Sequence, residues 1–202
     1  MMTTGSLRWA IGCLHEKMEA SAAELNELDG ALGDGDLGVT LARAAQRLLD
    51  DRDNLPDDVG MALLQCSRAF TGVTGSTYGT LLATGLMAAA KATRGRTAVP
   101  WSEISLLLAA ALKAMSDRGK GALGDKTVLD ALAAARGATD GLADPEVMVD
   151  RAREAVQMTI ADFRGRPFRQ GRARIFGDKG LNRDDPGMIA FERILESFAA
   201  GV

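Results

Sequence analysis

The chain has little of what many catalytic and recognition chemistries rely on: two cysteines, one histidine, and aromatic side chains at only 4% of 202 residues. Cys13 and Cys66 form no CxxC pair. Both fall at apolar positions of helical patterns, which predicts free buried thiols in a reducing compartment, with no zinc site. His15 stands among polar residues outside every motif, so a nucleophile–histidine triad has no support. A net charge of −3 gives no global pull toward nucleic acid or a membrane surface. No run approaches the roughly 18 apolar residues of a membrane helix. The opening residues also lack the basic start and unbroken apolar stretch of a secretory signal. These absences predict a cytoplasmic chain. Alternating β-branched residues are nearly missing as well, which argues against a sheet.

What is present is helical periodicity. Leu7, Ala10, Ile11, Leu14 and Met18 recur at i, i+3, i+4, i+7, as do Val59, Leu63, Cys66 and Phe70. Two further stripes run through 104–115 and 188–198, with alanine-rich segments at 79–92 and 127–136. The spacing predicts about eight helices, near 5–27, 38–50, 56–70, 76–92, 101–118, 126–137, 145–164 and 187–200. Asp58 and Ser102 suit helix starts, Gly95 and Gly137 suit ends, and Pro100 and Pro145 fall in connections. The expected architecture is an all-α antiparallel bundle forming one domain over 1–202. Its one long connection, "RGRPFRQGRARIFGDKGLNRDDP" at 164–186, is rich in arginine and lacks a helical stripe.

Three glycine-bearing helix starts carry the chemistry. In "GALGDGDLGVT" (30–40), Asp34 and Asp36 stand beside Asp29 among four glycines. Carboxylate oxygens at this density suit a hard cation such as Mg²⁺. An EF-hand is excluded, because its twelfth position counted from Asp34 would be Ala45. From spacing alone, the residues also suit a solvated acidic turn capping the next helix. "TGVTGSTYGT" (71–80) precedes a helix and suits phosphate at its N-terminus, or a plain turn capped by Ser76 or Thr77. "GKGALGDKT" (119–127) imitates a P-loop, but Asp125 interrupts the motif and no strand precedes it. The basic loop at 164–186 suits a lid over a phosphorylated ligand better than a nucleic-acid surface, because only Phe168 and Phe176 could stack bases.

In order and spacing, "LDGALGDGDLG", "GSTYGT", "GDKTVLDAL" and "GRARIFGDKGLNRDDPG" resemble the nucleotide-binding L subunit, or L domain, of dihydroxyacetone kinases, nearly end to end. The resemblance implies an eight-helix antiparallel barrel with a long lid loop before the last helix. It implies two Mg²⁺ ions on Asp29, Asp34 and Asp36, with ADP or ATP at the barrel mouth. The matching nucleotide contacts are Leu37, Gly38, Val39 and Thr40, then Val73, Thr74, Gly75 and Ser76. Gly119, Val128, Arg172 and the Asp185, Pro186 and Gly187 turn complete them. Lys126 and Arg172 are further candidates for stabilising transferred phosphate.

The same resemblance implies a kinase subunit whose partner is a sugar-binding K subunit carrying a short-chain ketose or polyol. The donor is ATP or a phosphohistidine phosphocarrier protein. Relatives that depend on phosphoenolpyruvate carry histidine and asparagine where this chain has Leu37 and Thr40, a pattern closer to ATP-using members. A fatty-acid-kinase-like acceptor, a non-catalytic nucleotide-binding module and a homodimeric arrangement stay open.

Overall fold

The computed structural model describes residues 1–73 and 76–199. Eight α-helices follow one another among them: α1 (Thr4–Gly30), α2 (Leu37–Asp51), α3 (Val59–Val73), α4 (Thr77–Thr93), α5 (Ile104–Gly119), α6 (Val128–Ala138), α7 (Pro145–Phe163) and α8 (Pro186–Glu196). Each packs on the next, and α8 returns to α1. The connections are mostly short, so neighbours run antiparallel and the ring closes. This bears out the all-α eight-helix reading, with boundaries displaced by a few residues. None of the described helices is long and apolar enough to cross a membrane.

Side-chain caps set several helix starts. Thr3 and Ser6 cap α1 reciprocally, and Thr127 and Asp130 do the same for α6. Asp144 and Asp185 cap α7 and α8, each followed by proline in the first turn, where a missing N–H costs nothing. Asp58 accepts from Met61 N–H near the start of α3. Ser102 does not cap α5; it lies in a 3₁₀ turn, Trp101–Glu103, that leads into it.

The core runs along the ring axis. Met18 and Leu25 of α1, Leu41 and Ala44 of α2, Val156 of α7 and Met188 and Ala190 of α8 are buried in one cluster. Buried alanines (Ala62, Ala83, Ala131 and Ala135) let the backbones approach closely. Cys66 is buried as expected, and burial pushes its thiol up to about 11. Cys13 is only half-buried, because its position on α1 turns partly outward.

One end of the ring is sealed. A two-residue strand, β1 (Met2–Thr3), pairs antiparallel with β2 (Ala98–Val99), too short to leave an alternating signature. Thr4 donates its hydroxyl to Pro56 C=O at 2.8 Å, Arg8 donates to Leu55 C=O at 2.9 Å, and Val59 N–H donates to Arg96 C=O at 2.8 Å. Gly60 lies here, where an added Cβ would meet the Arg94 backbone at 2.5 Å. Gly60→Ala must therefore part α3 from the end of α4, at a cost of about 2 kcal/mol. For a chain of this size the thermal midpoint falls by roughly 4–8 °C. Ligand binding at the opposite end is unchanged in calorimetry, and an unaltered midpoint would refute the close approach.

Candidate functional site

An antiparallel ring puts the starts of α2, α4, α6 and α8 at the same end, and contacts between the intervening loops confirm it. Leu32 from the α1–α2 loop packs with Phe168 and Ala173 from the α7–α8 loop. Arg169 N–H donates to Asp125 C=O at 3.1 Å, and the Gln170 amide donates to Lys120 C=O at 2.8 Å. Gly187 at the start of α8 lies against the Tyr78 ring at the start of α4. The motifs read separately in the sequence thus share one rim. The 164–186 connection is more organised than its lack of a stripe suggests. Phe168 and Ala173 are buried in it, and a 3₁₀ run, Arg172–Gly180, kinks at Gly177.

Asp29, Asp34 and Asp36 each offer a carboxylate oxygen within 4.8 Å of the others. Asp29 sits in the last turn of α1 and draws the loop back onto itself, accepting from Gly35 N–H at 2.9 Å and Asp36 N–H at 3.1 Å. Gly35 adopts φ +75°, which favours glycine there, and a Cβ at Gly33 would lie 2.7 Å from Asp29 Oδ1. Arg172 reaches across to form an ion pair with Asp34. That guanidinium holds the Asp34 carboxyl below its usual range, and the three aspartates raise the guanidinium in turn.

A residue absent from the sequence reading completes this turn. Asp36 occupies the N-cap position of α2 but makes no capping hydrogen bond. The Asn26 side chain, from α1, accepts from Gly38 N–H at 2.8 Å and Val39 N–H at 3.1 Å instead. The Asp36 carboxylate is therefore left without a capping partner among the described residues. An oxygen-only donor set with one such uncommitted carboxylate fits a hard divalent cation.

The other nominated residues are placed unequally. Leu37 is 6% exposed and belongs to the core, as does Val128, so neither presents a side chain to the rim. Gly38, Val39 and Thr40 have backbone N–H groups already bonded, to Asn26 and to Asp36 C=O. Ser76 caps α4 by accepting from Gly79 N–H at 3.1 Å. Gly119 ends α5 beside Leu81 of α4. Thr74, Gly75 and the side chain of Val73 lie outside the described residues. Lys126 is buried against the α7–α8 loop, so it is not an exposed cation for phosphate. Asp185 caps α8 through Met188 N–H at 2.8 Å, with Pro186 buried behind it. Loss of water around the Asp185 carboxyl pushes its pKa up to about 7, against the Met188 and Gly187 N–H groups and Lys126, which pull it down. The Tyr78 hydroxyl nearby is enclosed and has no hydrogen-bond partner among the described residues.

Two outcomes follow from this geometry. In Asn26→Ala, α2 loses its cap and Asp36 turns back to supply one, costing about 1 kcal/mol of stability. Asn26→Asp, which keeps an acceptor, loses less stability in denaturant titration. The second outcome concerns Asp185, whose folded pKa lies above its ordinary value. The stability it contributes is full below about pH 4 and is lost as pH rises through 7. Asp185→Asn can still cap but cannot ionise. Between pH 5 and 8, denaturant titration shows the native protein losing about 1 kcal/mol or more relative to that variant. Parallel pH curves would refute a raised pKa for the Asp185 carboxyl.

Against known proteins, the DAK2 domain model matches residues 31–200. The ADP-binding subunit DhaL of the PTS-dependent dihydroxyacetone kinase of Lactococcus lactis is 27% identical over 96% of this chain and 97% of its own length. Human triokinase/FMN cyclase is 31% identical over 86% of this chain, which spans only 31% of that protein. The dihydroxyacetone kinase of C. freundii, solved in complex with AMP-PNP and Mg²⁺, superposes with a TM-score of 0.76 at 23% identity, over 96% of this chain and 33% of that one. At that identity the superposition speaks for the fold alone. The family match and the near end-to-end alignment with an L subunit agree with the motifs, and the chain belongs to the DAK2 domain family.

Proposed function

We propose that the chain is the nucleotide-binding subunit of a dihydroxyacetone-kinase-like phosphotransferase. On this reading Asp29, Asp34 and Asp36 hold a pair of Mg²⁺ ions against the phosphates of ADP or ATP. The phosphoryl group passes to a short-chain ketose or polyol carried by a separate K subunit. The observation that carries the reading is the convergence of three carboxylates within 4.8 Å at the open rim, with Arg172 drawn onto one of them. The ADP-binding role of the L. lactis relative supports it, as does the AMP-PNP and Mg²⁺ complex of the C. freundii kinase.

Phosphoryl transfer asks a protein chiefly for positioning and charge neutralisation. Bound Mg²⁺ would supply a positive charge to phosphate oxygens as the transferred group develops charge. Asp29 orders the turn through its two amide contacts, and Asn26 keeps Asp36 available. Arg172 is the cation at hand for a phosphate once Asp34 has another partner. The loop that carries Arg172 rests on the acidic loop through Leu32, and its cover over bound phosphates would limit wasteful hydrolysis. Position 37 gives a nucleotide no side-chain hydrogen bond. That favours ADP exchanging for ATP over ADP held permanently for a phosphohistidine phosphocarrier.

Asp34→Asn weakens Mg–ADP binding at least tenfold in calorimetry while the helical circular dichroism spectrum is kept, and chelation with EDTA abolishes binding by the native protein. Undiminished affinity in the variant would overturn the metal assignment. Transfer from ATP to dihydroxyacetone in the presence of a K subunit separates the kinase from its alternatives. A fatty-acid-kinase-like subunit or a non-catalytic module would bind Mg–ADP without that transfer.

A further inference from the structure

The segment between α7 and α8 leaves the ring and returns to almost the same point. Gly165 N–H donates to Leu181 C=O at 2.9 Å, and Arg164 and Asp184 form a two-pronged ion pair at 2.8 Å on the outside of this neck. Inside it sits Lys126, from the α5–α6 loop, with only 1% of its surface exposed. Its ammonium donates to Arg166 C=O and to Leu181 C=O, both at 3.0 Å, and lies 4.3 Å above the centre of the Phe168 ring. One side chain thus bonds both ends of the loop and the aromatic ring within it.

This arrangement is costly to build. A buried ammonium gives up its hydration, and Lys126 takes φ +62°, a left-handed conformation that non-glycine residues rarely adopt. An apolar side chain would fill the space without the desolvation penalty. What the ammonium adds is a fixed distance between the two ends of the neck. Beyond the neck, Phe168 and Ala173 rest on Leu32 of the acidic loop, and Arg172 reaches Asp34. A continuous set of contacts therefore joins Lys126 to the carboxylate cluster.

We propose that Lys126 is a positioning residue: it clamps the neck of the 165–181 loop and so sets Arg172 over the acidic turn, touching neither metal nor nucleotide itself. Its effect on ligand affinity rests on the nucleotide-binding function proposed above, whereas its effect on the loop does not. The test uses the full chain and three variants, Lys126→Met, Arg172→Ala and the double variant. Lys126→Met keeps its helical spectrum, and trypsin cleaves it after Arg169 and Arg172 at least tenfold faster than the native protein. Its Mg–ADP affinity falls about tenfold, and the double variant binds no more weakly than Arg172→Ala alone. Lys126→Arg, which keeps the donors, recovers most of the affinity.

Independent losses that multiply in the double variant, or unchanged cleavage of Lys126→Met, would overturn the proposal. Should Lys126→Met not fold, Phe168→Leu removes the ring under the ammonium, and the same non-additivity with Arg172→Ala is expected or the clamp is wrong. Should the native protein bind no Mg–ADP, the nucleotide reading falls. The cleavage rates of the native and variant loops then decide the clamp without it.

Discussion

Three carboxylates held within 4.8 Å of one another repel, and the folded chain must keep them there before any cation arrives. Much of the local structure answers that constraint. Asp29 is fixed by two backbone N–H groups, so part of its charge is offset by the loop it organises. Asp34 is neutralised from across the rim by Arg172. Asp36 would ordinarily relax onto the start of α2, and the Asn26 side chain already occupies that role. The turn stores unfavourable charge at the open rim, and the surrounding fold offsets the cost.

The ring topology makes this feasible. An even number of antiparallel helices separates two kinds of end. One is stitched by β1, β2 and backbone contacts, and the other gathers the starts of α2, α4, α6 and α8 with the glycine-bearing loops before them. Stability can therefore concentrate at the sealed end while the open end carries the clustered carboxylates, the non-glycine positive φ of Lys120 and Lys126, and partly exposed loops. Elements far apart in sequence meet at the open rim, as Leu32 and Phe168 do.

The eight helices were legible because their stripes are long and their breaks are marked by glycine, proline and capping aspartate. The carboxylate cluster was legible because three aspartates in eight positions, among glycines, cannot be read as core. Asn26 was not, since it caps a helix twelve residues away, and nothing local distinguishes it from any surface asparagine. Lys126 misled for a related reason: beside Gly124 and Thr127 it imitates a phosphate-binding lysine, and only the return of the α7–α8 loop buries it. Leu37 and Val128 lie in contact motifs but at core-facing helical positions, where periodicity outweighs motif. The order within the 164–186 loop leaves no periodic trace because it rests on single residues, Phe168 above all.

Gly38 has a mechanical consequence. A Cβ at that position would overlap the Ala22 backbone carbonyl, so α1 and α2 touch main chain to main chain with no side chain between them. Two helices joined that closely have no compressible layer through which to slide or tilt. The carboxylate turn that joins them is consequently an anvil with fixed dimensions. Any adjustment to ligands of different size falls to the opposite jaw, the α7–α8 segment, whose grip on the anvil among the described residues rests on the Arg172–Asp34 ion pair and the packing of Phe168 and Ala173 on Leu32. The division resembles a vise: accuracy resides in the stationary half, and adaptability in the half held by few, exchangeable contacts.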